Sequence, residues 1–122
     1  MIKGIGNDIV EVERIRQAIE RYGMRFYKKI FTHKEIAYCL KHRDPTLCFA
    51  GRFSAKEAIA KAFGTGFGRQ VSFHDISIEQ DGAHRPYPKC SDALNERFDS
   101  PQILVSISHC TSHATAVAIW VH

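Results

Sequence analysis

The stretch RFSAKEAIAKAFGTG, Arg52 to Gly66, most constrains what this chain can fold into. Ala, Lys, Glu and Phe in this order predict a helix, and the glycines of GTGFG supply its C-terminal stop. Its surface is mostly small, since Ala55, Ala58, Ala60 and Ala62 leave room for another backbone or a bulky ligand to lie close. At about 100° per residue, Ala55, Ala58, Ile59, Ala62 and Phe63 share one broad face, while Ser54, Glu57 and Lys61 gather on another. Only Lys56, Glu57 and Lys61 interrupt the apolar run, so their partners decide what the helix is for.

The rest of the chain frames that helix with strands. IKGIGNDIVEV is rich in β-branched residues, and its early Gly4 and Gly6 predict a strand whose backbone approaches something closely. From Glu11 onward, Val12, Ile15 and Ile19 form an apolar helical stripe that Gly23 interrupts. A short helical piece around MRFYKKIF follows, and Thr32 with Glu35 three residues later signals a capped helix through Leu40. Asp44 and Pro45 read as a turn or loop. After GTGFGRQ, strands return: VSFHDISIE alternates, PYPKC is a proline-limited edge strand, and QILVSIS and HATAVAIWV join at HCTS. SDALNERF, capped by Ser91 or Asp92, is a brief helix between them. The expectation is one α+β domain over residues 1–122, with no repeat and no linker.

With 122 residues, one core is all the chain can build. No apolar run approaches the roughly 20 residues of a membrane span, and MIKGIGNDIVEVERI lacks a secretory h-region, so a cytoplasmic address is expected. Cys39, Cys48, Cys90 and Cys110 contain no CxxC pair, which points to four free thiols. A net charge of +4 favours an anionic partner: a phosphate ligand, a nucleic acid or an acidic protein.

Glu57 and Lys61 have a plain reading as an exposed i, i+4 pair, worth about 0.2–0.5 kcal/mol to a helix. They also have a chemical one, because a carboxylate and an ammonium in a groove suit a metal-bound diphosphate. Magnesium rarely accepts one carboxylate, and Asp8 is the second candidate, with Glu11 in reserve; as an alternative, Asp8 is a cap or turn residue. GIG is not a dinucleotide fingerprint, since Ile9 and Val10 stand where a last glycine is needed, and GTGFG lacks the GK[ST] of a Walker loop. In SISHCTSH, a metal set of His109, Cys110 and His113 lacks an obvious fourth ligand, and Ser108 with His109 lacks the GxSxG elbow of a hydrolase.

Four segments nonetheless align in order across nearly the whole chain: GIGNDIVEVERI, FTHKEIAYC, AGRFSAKEAIAKAFGTGFGRQVSFHDI and VSISHCTSHATAVAIW. With their G-x-D-x-x-E, R-F-x-x-K-E-A-x-x-K-A-x-G and S-I-S-H elements together, they resemble the 4′-phosphopantetheinyl transferase superfamily, whereas QDGAHRPYPKCSDALNERFDS matches it only loosely. The resemblance implies an antiparallel sheet with packed helices, a homotrimer, and coenzyme A bound in clefts between subunits. It implies magnesium-dependent transfer of the 4′-phosphopantetheine arm of coenzyme A to a serine of an acidic acyl carrier protein, releasing adenosine 3′,5′-bisphosphate and serving fatty acid biosynthesis. By the same resemblance Asp8 and Glu57 hold magnesium, Glu57 and Lys61 are catalytic, and Arg52, Lys61 and His109 bind coenzyme A. The charges of the Ala-rich helix would then face a metal-diphosphate rather than bulk water. The serine proton goes to Glu57, directly or through water, or to the more distant Glu35.

Arg14, Arg21, Arg25 and Lys28 would form a basic ridge if one helix ran through Gly23, and the resemblance implies that this helix docks the carrier protein through Arg14, Arg21 and Arg25, with Phe26 beside them. The contrasting reading is a noncatalytic nucleic-acid-binding module, or an inactive scaffold that tolerates loss of Asp8. Against nucleic acid, the chain shows no interleaving of aromatics with Lys and Arg and no binding motif.

Overall fold

The computed structural model describes all residues, Met1–His122. Its elements run β1 (Gly4–Glu11), α1 (Val12–Tyr22), α2 (Met24–Ile30), α3 (His33–Leu40), α4 (Pro45–Phe63), a 3-10 turn (Phe73–Asp75), β2 (Ile76–Gln80), β3 (Pro86–Cys90), α5 (Asp92–Arg97), β4 (Ile103–His109) and β5 (His113–Trp120). The fold is α+β. One antiparallel sheet has the order β1-β5-β4, and β2 pairs with β3 in a second.

The Ala-rich segment is the centre of the molecule. Of the nineteen residues of α4, fourteen are buried, which makes it a core helix rather than an amphipathic surface one. It starts at Pro45, not at Arg52, because Asp44 accepts the Thr46 N–H at 3.2 Å as an N-cap and Pro45 occupies the first turn, where a missing N–H costs nothing. The Asp-Pro pair expected to form a turn or loop is therefore a helix start. Gly64 ends the helix in a left-handed conformation, φ 79°, as GTGFG implied.

β1 lies directly on α4, and its glycines make this possible. A Cβ on Gly6 would sit 2.1 Å from the Ala58 carbonyl oxygen, and one on Gly4 would sit 2.0 Å from that of Ala62. The expected close approach of strand backbone and the expected room beside the alanines are one contact. α4 also supplies both apolar clusters: Ala55, Ala58, Ile59, Ala62 and Phe63 pack with Ile76, Ile78, Leu94 and Ala116, while Phe49 and Ala50 pack with Val12, Ile15, Phe31 and Ile36. Because neighbours cover it on more than one side, Ser54 is buried and donates to the Ala114 carbonyl at 3.1 Å instead of joining Glu57 and Lys61 on a polar face.

Gly23, at φ 55°, separates α1 from α2, so the single basic helix does not form. The capping box of Thr32 and Glu35 is present at the start of α3, and Ser91 rather than Asp92 caps α5. The expectation of four free thiols is corrected: α3 and α4 bring Cys39 and Cys48 together as a disulfide, leaving Cys90 and Cys110 free. The other face of the three-stranded sheet stays apolar and open, with Ile5, Ile9 and Leu104 each more than half exposed.

Candidate active site

Side chains alternate along a strand, so Asp8 follows Gly4 and Gly6 onto the α4 side of β1. It lies mid-strand opposite Ala116, which rules out the cap or turn role. Lys61 reaches across from the last turn of α4, donating to Asp8 Oδ1 at 3.0 Å and to the Asn7 carbonyl at 3.1 Å. Its partner is thus on another element, and the plain Glu57–Lys61 helix pair is not what forms. Glu57 stands one turn earlier beside them. Burial holds its carboxyl above the usual glutamate range, the neighbouring Asp8 charge raises it further, and Lys61 partly opposes both. Two carboxylates stand near one ammonium that is bonded to Asp8 alone, which leaves excess negative charge.

That donor set fits magnesium. No third His, Cys, Asp or Glu completes an all-protein cage. Magnesium, however, commonly takes one or two carboxylates and fills its remaining positions with water and substrate phosphate oxygens. Glu11, held in reserve from the sequence, points to the opposite face of β1 and pairs with Arg14 at 3.6 Å. The cluster of His109, Cys110 and His113 likewise yields no metal-ligating group.

Lys56 does not face this site. It is fully buried and bonds Glu35 Oε1 at 2.7 Å, so of the three charges on the Ala-rich helix only Glu57 and Lys61 reach the cluster. The same contact removes Glu35 as a base: its oxygens are occupied by Lys56, Thr32 N and Ile78 N in the core.

Arg52 and His109 meet elsewhere. They line a cleft of about 400 Å³ with Tyr38, His42 and Arg43, and none of Asp8, Glu57 or Lys61 borders it. Arg52 is 7% exposed, its guanidinium carbon sits 4.5 Å over the Tyr38 ring, and its Nε and Nη2 have no hydrogen-bond partner. Burial depresses its pKa, opposed by Tyr38 and Glu35. Unpaired buried guanidinium nitrogens are a strong call for an anion. Tyr38, His42 and Arg43 escaped the sequence reading because nothing local distinguishes them from ordinary surface residues.

The basic residues are split by the break at Gly23. Arg14 on α1 is exposed, Arg21 lies over the Tyr22 ring at 5.5 Å, and Arg25 on α2 lines a cleft of about 460 Å³ with Ala18, Tyr22, Phe26, Lys29 and Ile30. This is a groove with cationic rims and an aromatic floor. No helix of the protein is long and apolar enough to cross a membrane.

An α+β chain with paired carboxylates and a lysine between a glycine-bearing strand and a small-residue helix defines a class: the chain belongs to the 4′-phosphopantetheinyl transferase superfamily, whose profile matches residues 4–118. It is an enzyme, a phosphopantetheinyl transferase. More particularly, it is 50% identical over 120 residues to the holo-[acyl-carrier-protein] synthase of Protochlamydia amoebophila strain UWE25, covering 98% of both chains. The crystal structure of that synthase from Neisseria meningitidis covers 100% of both chains at a TM-score of 0.92 and 34% identity. The synthase from Helicobacter pylori, solved in complex with coenzyme A, matches at a TM-score of 0.88 and 33% identity over 96% of this chain and 99% of that one.

Proposed function

We propose that this single domain, residues 1–122, moves the 4′-phosphopantetheine arm of coenzyme A onto a serine of an apo acyl carrier protein, releasing adenosine 3′,5′-bisphosphate. The observation that carries the reading is the meeting of Asp8, Glu57 and Lys61 across the β1–α4 contact. Asp8 and Glu57 are the residues that would hold Mg2+, which, when bound, neutralises the diphosphate and polarises its phosphorus. Glu57 Oε takes the hydrogen of the carrier serine, directly or through water, as its hydroxyl oxygen attacks the β-phosphorus. The bond from that phosphorus to the bridging oxygen breaks, and Lys61 Nζ stabilises the charge left on the departing bisphosphate.

Arg52 and His109 bind another part of coenzyme A, and their cleft borders a different region of the same chain. A coenzyme spanning both regions therefore calls for a neighbouring copy. The open apolar sheet face bearing Ile5, Ile9 and Leu104 is a suitable interface for such a copy, and the resemblance to the family implies a homotrimer with sites between subunits. The groove lined by Arg25 and Lys29, with Arg14 and Arg21 on the neighbouring α1, docks the acidic carrier protein, with Phe26 as its apolar contact. The setting is cytoplasmic fatty acid biosynthesis.

The test is incubation of the pure protein with apo carrier protein, coenzyme A and Mg2+, followed by intact-mass spectrometry of the carrier. The expected result is a mass gain of one phosphopantetheine group that disappears when Mg2+ is chelated. An unmodified carrier at full enzyme concentration refutes the reading.

A further inference from the structure

The reaction as drawn leaves the buried ion pair of Glu35 and Lys56 without a task. Glu35 Oε1 accepts from Lys56 Nζ at 2.7 Å and from Thr32 N at 2.8 Å, and Oε2 accepts from Ile78 N at 2.8 Å. Both side chains are 0% exposed. One carboxylate thus ties together the start of α3, the middle of α4 and strand β2.

Such bonds supply what the contact between α4 and β1 lacks. The helix meets β1 through Ala58 and Ala62 against Gly4 and Gly6, a smooth surface with no side-chain ridges to set its rotation. Packing of small residues fixes distance well and rotation poorly. A hydrogen-bonded ion pair in a dry interior is directional, and moving away from it exposes an unpaired charge to the core. Lys56 immediately precedes Glu57, and Lys61 lies one turn beyond. With helix side chains reaching roughly 5–6 Å from the axis, a turn of about 10° would shift their ends by about 1 Å. Misplacement on that scale is enough to cost a reaction about a hundredfold.

We infer that Glu35 and Lys56 are positioning residues for the transfer: their buried ion pair sets the rotation of α4, and so the placement of Glu57 and Lys61 against Asp8. Neither touches substrate. The inference rests on the reading that Asp8, Glu57 and Lys61 carry the reaction.

Three variants test it: Lys56→Met, Glu35→Gln and the double change, which removes both charges and with them the cost of burying either alone. Each is assayed well below its own melting temperature, with folding verified by circular dichroism. In the double variant kcat falls about tenfold or more and the Mg2+ concentration for half-maximal rate rises, while KM for the carrier protein, whose groove lies on α1 and α2, stays within about twofold. A crystal structure of the double variant reads the same displacement without activity, as a shift of Lys61 Nζ away from its 3.0 Å contact with Asp8 Oδ1. That shift sustains the inference even if the wild-type protein transfers nothing, in which case only the proposed reaction fails. A folded double variant with unchanged kcat, Mg2+ requirement and Lys61–Asp8 geometry overturns the inference. So does a parallel decline of every parameter with stability, or a set of variants none of which folds, because either assigns the pair to folding alone.

Discussion

Gly6→Ala tests the link between fold and site in a single methyl group. Its Cβ would lie 2.1 Å from the Ala58 carbonyl oxygen, 2.7 Å from Ala62 N and 2.9 Å from Lys61 Cβ. Two of these atoms are helix backbone and cannot swing aside. A carbon–oxygen contact needs a little over 3 Å, so β1 and α4 must part by roughly 1 Å, an overpacking cost of about 1–3 kcal/mol. Asp8 lies two residues along on the same face, where its 3.0 Å bond to Lys61 stretches past hydrogen-bonding range. The expected outcome is a urea midpoint lowered in proportion and, in the fraction still folded, a transfer rate down about a hundredfold. Equilibrium unfolding and the carrier mass assay read the two effects separately. A Gly6→Ala protein with both stability and rate of the wild type would refute the claim that this close approach positions the carboxylate.

Charge reversal at Arg14, in contact with Glu11 at 3.6 Å, is expected to raise KM for the carrier protein about tenfold and leave KM for coenzyme A nearly unchanged; equal losses for both substrates would count against a docking surface. The Cys39–Cys48 bridge closes a loop with a sequence separation of 9, so reduction is expected to cost the wild type about 2–3 kcal/mol in urea unfolding, whereas Cys48→Ser responds to no reductant. A wild type indifferent to dithiothreitol contradicts the pairing. The raised pKa of Glu57 places the acid limb of the rate profile above the ordinary glutamate range of about 4.3, since only the ionised carboxylate works. Because a cation competes with that proton, raising Mg2+ moves the limb to lower pH; a fixed limb argues against a shared site. For stability the sign is opposite: the folded state holds this proton more tightly, so its contribution is full below the unfolded pKa and lost as pH rises through the folded one.

Local signals carried most of the architecture into the sequence. The capping box of Thr32 and Glu35, the stop at Gly64 and strand β1 act over a few residues, and each formed as read, whereas VSFHDISIE, expected as a strand, opens with a 3-10 turn at Phe73–Asp75 before β2 begins at Ile76. Gly4, Gly6 and the alanines of α4 were legible as room for a close neighbour, and the fold shows they are room for each other. Asp44 and Pro45 were ambiguous because the same two residues begin turns and helices. Contacts between distant segments left no local mark. Lys56 looked like one more charge on a helix until its Glu35 partner, 21 positions away, lay beside it in the core. Cys39 and Cys48 looked unpaired because spacing alone does not reveal that two helices turn back on one another.

Direct titration of Mg2+ into the protein with coenzyme A, by calorimetry on the wild type and on Glu57→Gln, tests the two-carboxylate site most directly. The nearly isosteric amide keeps the fold, and the expected result is saturable Mg2+ binding in the wild type and its loss, by about a hundredfold in affinity, in the variant. A Glu57→Gln protein that binds Mg2+ as tightly as the wild type and transfers at the same rate would contradict the account.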